Sequence, residues 1–378
     1  MAQTAPTLVR VITWLPVGGI ERRLVAVLPR LRDRGWNARL VCVREKGPLA
    51  AELLAQGIPV EVIHFKSRFS PSALRRLAAY LREHETKIVH SHMYRSNAPA
   101  TVAAGMADVP AMFAQIHNVD SWDGWRQCAV DRILASHRTG TIAVSRAVQQ
   151  DVMAKLKLPE AKVPILYNGI NVEEFRPDPE AGAALRRELG VAADRVVFLV
   201  PARLHPQKNP LGVAKAFFSA VGKMGNTPAP LLVFAGGGKM EGELRALLSG
   251  SPAAENVIML GERSDMAALY NMADAALLSS FREGFSNAVV EALGCGKPVI
   301  ASDVGGNREA LDSARVGWLH AAGDGDALTS QLIEAAWEGR EGLAARSADC
   351  RARAMHFSIE ALVQQTHELY VKALGHEP

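Results

Sequence analysis

Short apolar segments rich in β-branched residues alternate with amphipathic helical segments along almost the whole chain. In the first half the strand-like segments are 8–14, 38–43, 60–63, 87–91, 111–116 and 139–144. Helical segments between them include 21–34 and 95–106. A repeated strand–helix–strand order predicts a parallel sheet that is covered by helices on both faces.

The alternation is interrupted once, at Asn168-Gly169 and at the proline-rich segment 176–179, as expected of a linker. A second series follows, with strand-like segments at 196–200, 231–235, 256–260, 275–278, 298–301 and 317–319. A chain of 378 residues has room for two cores. We therefore predict two Rossmann-like α/β domains, at 1–175 and 176–355, with the C-terminal helix 356–378 packing back on the first. Their parallel sheets are expected to face an interdomain cleft that binds the ligand.

The net charge of +4 conceals an asymmetry between the two halves. Residues 1–177 hold 24 Lys and Arg against 15 Asp and Glu, whereas residues 178–378 hold 19 against 24. A basic first half indicates an anionic partner. Nucleic acid is not expected, because the basic residues follow no nucleic-acid-binding motif. An anionic membrane surface fits better, and segment 70–84 is a candidate because it places Leu74, Leu77 and Leu81 on one helical face beside arginines. An ordinary surface helix packed on a sheet explains the same pattern.

Two further features bear on location. No apolar run reaches the ~18 residues of a membrane-spanning helix, and Met1 to Arg10 is too short and polar for a signal peptide. The four cysteines are scattered, which favours free thiols over disulfides or a zinc site. We expect a cytoplasmic protein, with peripheral association at the inner membrane face as a possibility.

The most informative segment is 280–292, which reads SFREGFSNAVVEA. It has the pattern of a strand end, a tight polar loop and a helix start. Gly284 with the small polar residues Ser286 and Asn287 exposes backbone N–H groups at the helix N-terminus, which suits a diphosphate. Glu283 and Glu291 have the spacing E-x7-E. That spacing also occurs at 180/188 and 360/368, so only the context distinguishes this pair.

With that context, the segment resembles the sugar-donor motif of the family 4 glycosyltransferases, which are retaining enzymes with the GT-B fold. The resemblance implies that Glu283 contacts the transferred sugar and that Glu291 holds the ribose. It also implies donor contacts from the loop residues Gly284, Phe285, Ser286 and Asn287.

Other segments resemble further landmarks of the family, in the same order along the chain. Arg203 in PARL and Lys208 in QKN look like the basic pair that holds the donor pyrophosphate, and two fixed cations suit two phosphates. The family often has Gly where this chain has Ala202. Gly18 and Gly19, in PVGGIE, resemble the N-terminal glycine loop that contacts the donor phosphate; a plain tight turn is the alternative.

Two more candidates are single residues. His117 ends a strand-like segment and resembles the histidine that lies near the sugar, where an imidazole can donate a hydrogen bond to a hydroxyl. His90 and His92 end the preceding strand and are interpreted as mainly structural. Arg263 precedes a helix where the family often contacts the base.

No metal site or cofactor is expected beyond the nucleotide-diphosphate sugar, which is the donor substrate. Asp324-Gly325-Asp326 has the D-x-D form of a metal–diphosphate site, but it stands at a helix start, so Asp326 is interpreted as an N-cap or first-turn residue.

Taken together, the resemblance implies a retaining, metal-independent glycosyltransferase of the hexosyltransferase class. We expect a UDP- or GDP-sugar as donor and an acceptor sugar or lipid-linked sugar, in bacterial surface polysaccharide or lipopolysaccharide assembly. A hydrolysing sugar-nucleotide epimerase of the same fold and a non-catalytic nucleotide-sugar-binding protein remain alternatives. A glycosidase that uses Glu283 and Glu291 is disfavoured, because eight helical residues would separate them by roughly 12 Å.

Overall fold

The computed structural model describes residues 5–16, 18–119, 121–122, 124–225 and 228–378. The chain divides into two compact units. Unit 1 comprises Met1–Gly169 together with Ile359–Pro378, and unit 2 comprises Ile170–Ser358. Unit 2 is therefore one continuous segment of the chain, whereas unit 1 consists of two segments.

Unit 1 contains a six-stranded parallel sheet in the order β3-β2-β1-β4-β5-β6. Its strands are β1 (Thr7–Ile12), β2 (Asn37–Cys42), β3 (Val60–Val62), β4 (Thr86–His92), β5 (Ala111–Ile116) and β6 (Gly140–Ala143). Its helices are α1 (Gly19–Arg32), α2 (Ala50–Ala55), α3 (Pro71–Glu83), α4 (Tyr94–Met106), α5 (Trp125–Ala135), α6 (Arg146–Leu156) and the last helix of the chain, α15 (Ile359–Leu374). Every residue of β1 and β5 is buried, as expected for strands covered on both faces.

The last helix packs on the first one, which anchors the end of the chain in unit 1. Tyr370 of α15 is fully buried and lies edge-on to Trp36, with ring centroids 5.5 Å apart. The indole Nε1 of Trp36 donates to Nδ1 of His367 at 3.1 Å. This aromatic cluster closes one face of the sheet.

Helix α3 is an ordinary surface helix, and the hypothesis that its apolar face binds a membrane is wrong. Leu74, Leu77 and Leu81 are buried in the core beside Val9 and Val89 of the sheet. Because these side chains are already buried against the sheet, the apolar face of α3 is not available to lipid.

Unit 2 repeats the architecture with strands β7 (Val197–Val200), β8 (Leu231–Phe234), β9 (Val257–Met259), β10 (Ala275–Leu278), β11 (Val299–Ser302) and β12 (Gly317–His320). The parallel sheet has the order β12-β11-β10-β7-β8-β9. The helices are α7 (Pro179–Glu188), α8 (Pro210–Met224), α9 (Glu241–Ser249), α10 (Met266–Met272), α11 (Asn287–Gly294), α12 (Asn307–Ala310), α13 (Gly325–Ala345) and α14 (Ser347–Met355). If β7 is numbered 1 and the sheet is read from β9 to β12, the order is 3-2-1-4-5-6, the same as in unit 1. The predicted α/β class with two Rossmann-like sheets is therefore confirmed.

The D-x-D segment begins helix α13. Asp324 caps the helix, since its side chain accepts a hydrogen bond from the Ala327 backbone N–H at 2.9 Å, and Asp326 lies in the first turn. Both carboxylates thus oppose the positive end of the helix dipole. No helix in the described part of the chain is long and apolar enough to cross a membrane.

Candidate active site

The donor motif of unit 2 forms the loop between β10 and α11. The loop is fixed from two sides by backbone hydrogen bonds. Phe281 N–H donates to the Gln207 carbonyl at 2.8 Å, and Gly306 N–H donates to the Gly284 carbonyl at 2.8 Å. Gly305 has a φ of +55°, and a Cβ there would collide with the carbonyl of Glu283. The glycine is thus required both by its backbone conformation and by the close approach of the loop.

Glu283 and Lys208 form an ion pair through Oε1 and Nζ. The residues are 75 positions apart, and Glu283 is 8% exposed. Lys208 reaches the loop because it ends a short turn whose neighbour, Gln207, also donates its side-chain Nε2 to the Arg282 carbonyl at 2.7 Å. The predicted sugar contact and one predicted phosphate contact therefore meet in the structure.

Gly284, Phe285 and Ser286 are buried, and Asn287 begins α11. Ser286 stands at the N-cap position, but its side chain makes no capping hydrogen bond. An uncapped helix N-terminus carries a partial positive charge that favours an anion. The local geometry is thus compatible with the predicted phosphate contact of residues 284–287.

Arg203 is exposed on the loop after β7 and has no ion-pair partner in the part of unit 2 that the structure describes. The loop lies against Gly236 and Gly238, whose φ values are +153° and +150°. A Cβ at either glycine would collide with the carbonyls of Ala202 or Leu204. These glycines allow two loops to approach each other, which leaves the Arg203 guanidinium available for a ligand.

Glu291, the predicted ribose contact, accepts a hydrogen bond from the Tyr270 hydroxyl at 2.9 Å. Burial raises the pKa of Glu291 to about 7, although the hydrogen bond from Tyr270 acts in the opposite direction. Tyr270 was not predicted from the sequence, because a tyrosine within a short apolar helix gives no sign of its partner.

Arg263, the predicted base contact, is paired with its neighbour Asp265. Its Nε donates to Asp265 Oδ1 at 2.8 Å, and a second nitrogen bonds the other oxygen. This pairing raises the pKa of Arg263 and lowers that of Asp265. A nucleotide base would therefore meet a guanidinium that is already engaged by a carboxylate.

In unit 1 the predicted glycine loop leads into α1. Gly18 is the N-cap residue and Gly19 is the first residue of the helix; Val17 lies outside the described residues. Glu21 stands in the first helical turn, is buried, and has a pKa raised by that burial. Its carboxyl group lies close to Gly18, so part of the favourable field at the helix N-terminus is already used by the protein itself.

His117 follows β5 and is linked to a chain of hydrogen bonds. Arg10 Nη1 lies 2.8 Å from His92 Nε2, and His92 Nδ1 lies 3.2 Å from His117 Nε2. A guanidinium can only donate, so His92 Nε2 must accept and His92 Nδ1 must carry the proton. By the same reasoning, His117 Nε2 accepts and His117 Nδ1 carries its proton.

This proton arrangement gives His117 a definite chemical capacity. Its Nδ1 atom is buried and has no hydrogen-bond partner among the described residues. Burial, with the positive charges of Arg23 and Arg10, holds the pKa of His117 well below its ordinary value of 6.5. His117 is thus a neutral imidazole with one N–H donor that has no partner among the described residues.

His90 has a different environment from His92. Its Nδ1 pairs with the Tyr370 hydroxyl at 2.7 Å and its Nε2 with Gln115 Oε1 at 3.2 Å. Both ring nitrogens are therefore engaged in the protein core, whereas His92 contacts the candidate catalytic residue directly. Nothing in the sequence distinguishes the environments of these two histidines.

A second buried arginine lies beside the hydrogen bonds that link Arg10, His92 and His117. Arg23 is 8% exposed, and neither of its terminal nitrogens has a partner within the described chain. Burial lowers its pKa to about 10. Together with Arg10, His92 and His117 it lines a cavity of about 20 Å³, which is enough for roughly one water molecule.

Two family models match the chain, one in each half. Residues 17–174 match Glycosyltransferase Family 4, and residues 183–347 match Glycosyl transferases group 1. The two matched ranges include all the predicted site residues of both units.

Curated relatives match over nearly the full length. The UDP-Gal:alpha-D-GlcNAc-diphosphoundecaprenol alpha-1,3-galactosyltransferase of Escherichia coli is 24% identical over 94% of this chain and 94% of its own. The D-inositol 3-phosphate glycosyltransferase of Thermobispora bispora is 28% identical over 94% of this chain and 90% of its own.

Solved structures show the same fold. HepE of Anabaena in complex with UDP has a TM-score of 0.85 at 21% identity, over 97% of this chain and 100% of its own. The lipopolysaccharide outer core galactosyltransferase WaaB has a TM-score of 0.73 at 17% identity, over 97% of this chain and 99% of its own.

Proposed function

The chain belongs to the family 4 glycosyltransferases with the GT-B fold, and from this we propose that it transfers a sugar from a nucleoside-diphosphate donor with retention of anomeric configuration and without a metal ion. The observation that carries the proposal is the ion pair of Glu283 with Lys208 at the loop that begins α11. It joins a carboxylate suited to sugar hydroxyls with a cation suited to a phosphate.

The chemistry requires stabilisation of two developing charges. The sugar becomes oxocarbenium-like while the diphosphate leaves with growing negative charge. In the proposed mechanism Lys208, Arg203 and the N-terminus of α11 stabilise the leaving diphosphate. Glu283 and His117 bind and orient the sugar, as the family resemblance implies. No protein nucleophile is assigned; a leaving phosphate oxygen assists deprotonation of the acceptor on the same face of the sugar.

The donor is proposed to be a UDP-sugar, with a GDP-sugar as the alternative. HepE has been crystallised with UDP and with UDP-glucose, and the Escherichia coli relative uses UDP-Gal according to its name. Glu291 would hold the ribose hydroxyls in its ionised form, which its pKa of about 7 makes sensitive to pH.

The acceptor is proposed to be a lipid-linked sugar of surface polysaccharide or lipopolysaccharide assembly. The Escherichia coli relative acts on GlcNAc-diphosphoundecaprenol by name, and WaaB is an outer core galactosyltransferase. The first name gives a lipid-linked sugar as acceptor and the second gives lipopolysaccharide, which agrees with the expectation from the sequence.

Peripheral membrane association is proposed through helix α5. Trp125 is 75% exposed and Ile133 is 67% exposed, and Arg126 and Arg132 are exposed on the same helix. Exposed aromatic and aliphatic side chains next to cations suit an anionic lipid surface. Sedimentation with phosphatidylglycerol vesicles, compared with phosphatidylcholine vesicles, measures this binding, and the double variant Trp125→Ser/Ile133→Ser should lose most of it. Equal sedimentation of the variant would contradict the assignment to α5.

Thermal unfolding with UDP, GDP, ADP and CMP, each with and without EDTA, tests the donor. A ligand at ~100 times its Kd stabilises the protein by about 2.7 kcal/mol, so a shift is readily measured. We expect a shift with one nucleoside diphosphate that survives EDTA. A shift abolished by EDTA would contradict metal independence. Conversion of the matching nucleotide sugar into its epimer without an acceptor would favour the epimerase alternative.

Retention is tested separately, by the anomeric configuration of the sugar released when the enzyme hydrolyses its donor slowly. Proton NMR distinguishes the two anomers before they equilibrate. The donor's own configuration is the expected first product. Initial release of the opposite anomer would overturn the retaining mechanism, while leaving the glycosyltransferase assignment intact.

A further inference from the structure

The cavity beside Arg23 lies inside unit 1, where α1 and α15 cover the sheet. Its lining includes Arg10 of β1, Arg23 of α1 and Thr366 of α15. These three residues are buried, with exposed fractions of 3%, 8% and 1%. The volume of about 20 Å³ admits a single particle about as large as a water molecule.

Several polar atoms of these residues lack hydrogen-bond partners. They are Nε of Arg10, both terminal nitrogens of Arg23 and Oγ1 of Thr366, each buried and without a partner among the described residues. Guanidinium nitrogens can only donate, and a hydroxyl can donate. Because buried polar groups are normally satisfied, a set of such donors around one cavity indicates a ligand that accepts hydrogen bonds.

The cavity also concentrates positive charge. Burial lowers the pKa of Arg23 to about 10, and the charge of Arg10 acts in the same direction. Both guanidinium groups nevertheless stay protonated at neutral pH. The histidines in the lining, His90, His92 and His117, have pKa values held well below 6.5 by burial and are neutral. Two buried cations therefore share one small space.

Glu21 is the acidic residue whose charge acts on Arg23. It raises the pKa of Arg23, but burial lowers that pKa by more. Glu21 accepts no hydrogen bond from the terminal nitrogens of Arg23, and burial raises its own pKa. No carboxylate is among the described residues that line the cavity. The protein thus compensates the two cations only in part.

We propose that this cavity binds a monatomic anion, chloride under physiological conditions, as a buried counter-ion of Arg10 and Arg23. A chloride ion accepts hydrogen bonds from every side and carries the charge that two buried cations favour, whereas a water molecule must also donate. A carboxylate or phosphate group is too large for the volume. The binding is independent of the donor and the acceptor in the proposed function.

The position of Thr366 gives the ion a structural role. Helix α15 belongs to the segment of unit 1 that follows unit 2 in the chain. An ion that accepts hydrogen bonds from Arg10, Arg23 and Thr366 joins this helix to β1 and α1. It therefore links the two segments of which unit 1 is made.

Thermal unfolding of the full chain measures the binding, with sodium chloride titrated against sodium gluconate at constant ionic strength. At about 0.1 M chloride the melting temperature of the wild type should rise by about 3 °C. Arg23→Met should show a rise below about 1 °C and, without chloride, should melt above the wild type. The matched control Arg22→Met removes an exposed cation of the same helix and should keep the full rise. An equal rise in Arg23→Met and the wild type would overturn the proposal.

Thr366→Val tests the contribution of α15. The substitution removes one hydrogen-bond donor and no charge, so the chloride concentration at half of the maximal temperature rise should increase roughly threefold or more. An unchanged concentration would overturn the assignment of α15 to the site.

Crystals soaked in sodium bromide locate the ion directly, because bromide replaces chloride and scatters anomalously. A peak is expected at the cavity in the wild type and in Arg22→Met, and none in Arg23→Met. Absence of the peak from the wild type would overturn the proposal and identify the occupant as water. A peak of equal height in Arg23→Met would overturn the role of Arg23 as the partner of the ion.

Discussion

Units 1 and 2 have the same strand order, and both contain a buried arginine–aspartate pair, Arg138 with Asp131 in unit 1 and Arg186 with Asp274 in unit 2, but unit 1 contains further buried arginines that have no such partner. In unit 2, buried Arg186 is paired with Asp274, and Lys208 is paired with Glu283. In unit 1, Arg10 donates to a neutral histidine, and the terminal nitrogens of Arg23 meet no partner among the described residues. A shared fold therefore does not impose a shared electrostatic environment. The buried Arg186 of unit 2 is thus hydrogen bonded to a carboxylate, whereas Arg10 and Arg23 of unit 1 are buried without a carboxylate hydrogen bonded to them among the described residues.

The largest effect is expected when two single substitutions are compared. One removes a paired cation of unit 2, and the other removes a cation of unit 1 that has no carboxylate partner. Arg186→Met would leave buried Asp274 with Arg340 as its one ion-pair partner among the described residues, beside the hydrogen bond from the Val197 N–H, so the free energy of unfolding should fall by about 3 kcal/mol. Arg23→Met should instead raise it by about 1 kcal/mol, because a buried guanidinium whose terminal nitrogens have no hydrogen-bond partner among the described residues is removed. Urea denaturation measures both.

Arg22→Met is the control for this comparison, since Arg22 is exposed on the same helix as Arg23 and its loss should change stability by less than about 0.5 kcal/mol. If Arg23→Met destabilised the protein as much as Arg186→Met does, the contrast between the units would be lost.

The next effect concerns the ion pair at the donor loop. Lys208→Met should reduce turnover about 100-fold, because a fixed positive charge near the leaving diphosphate is removed. Steady-state kinetics with the identified donor measure this loss. Lys215→Met, at an exposed position of the neighbouring α8, should be nearly as active as the wild type. Turnover of Lys208→Met within threefold of the wild type would exclude Lys208 from the mechanism.

Glu291 of unit 2 and the three buried histidines of unit 1 should also respond to pH in opposite directions. Glu291 has its pKa raised from 4.5 to about 7 in the folded state, so folding binds a proton and stability falls as pH rises between these values. In unit 1 the pKa values of His90, His92 and His117 are lowered, so stability falls as pH decreases below about 6.5.

Glu291→Gln isolates the first of these terms. The amide keeps an acceptor for Tyr270 but does not titrate. The free energy of unfolding of the variant, relative to that of the wild type, should therefore rise by about 2 kcal/mol from pH 5 to pH 8. Denaturation at both pH values measures the difference. A constant difference across this range would show that Glu291 is not titrating there.

A smaller effect is expected from breaking the histidine chain. His92→Asn removes the fixed donor to His117 Nε2, so His117 should exchange between tautomers and turnover should fall about tenfold. Nitrogen-15 NMR of the histidine rings reports the tautomer directly. His137→Asn, at an exposed position, is the control. An unchanged His117 spectrum in the His92 variant would disprove the proton arrangement derived above.

The smallest effect concerns backbone strain at Met93, between β4 and α4 of unit 1. Met93 has φ +69° and ψ 149°, a conformation that essentially only glycine adopts without strain. Met93→Gly should therefore raise the free energy of unfolding by about 0.5–1 kcal/mol, whereas Met106→Gly in α4 should lower it by about 1 kcal/mol. Denaturation curves of the two variants decide whether this strain is real.

The sequence predicted the elements of the fold well, because apolar periodicity is a local property. All strand-like segments correspond to strands, and the segment around Gly284 is a loop followed by a helix as expected. The roles of Glu283, Glu291 and His117 as substrate contacts stay predictions that follow from the family resemblance. Segment 70–84 illustrates the limit of a local pattern: its amphipathic character fits a membrane or a sheet equally well, and only packing distinguished them.

By itself, then, the sequence determined two parallel α/β sheets, the loops that end their strands and the basic character of the first half. Only the tertiary structure decided which side chains meet: Lys208 with Glu283, Tyr270 with Glu291, and Arg10 with His92. The reason is physical. Strands and helices follow from neighbouring residues, whereas the pairing, burial and pKa of a side chain depend on distant segments that the sheet order brings together.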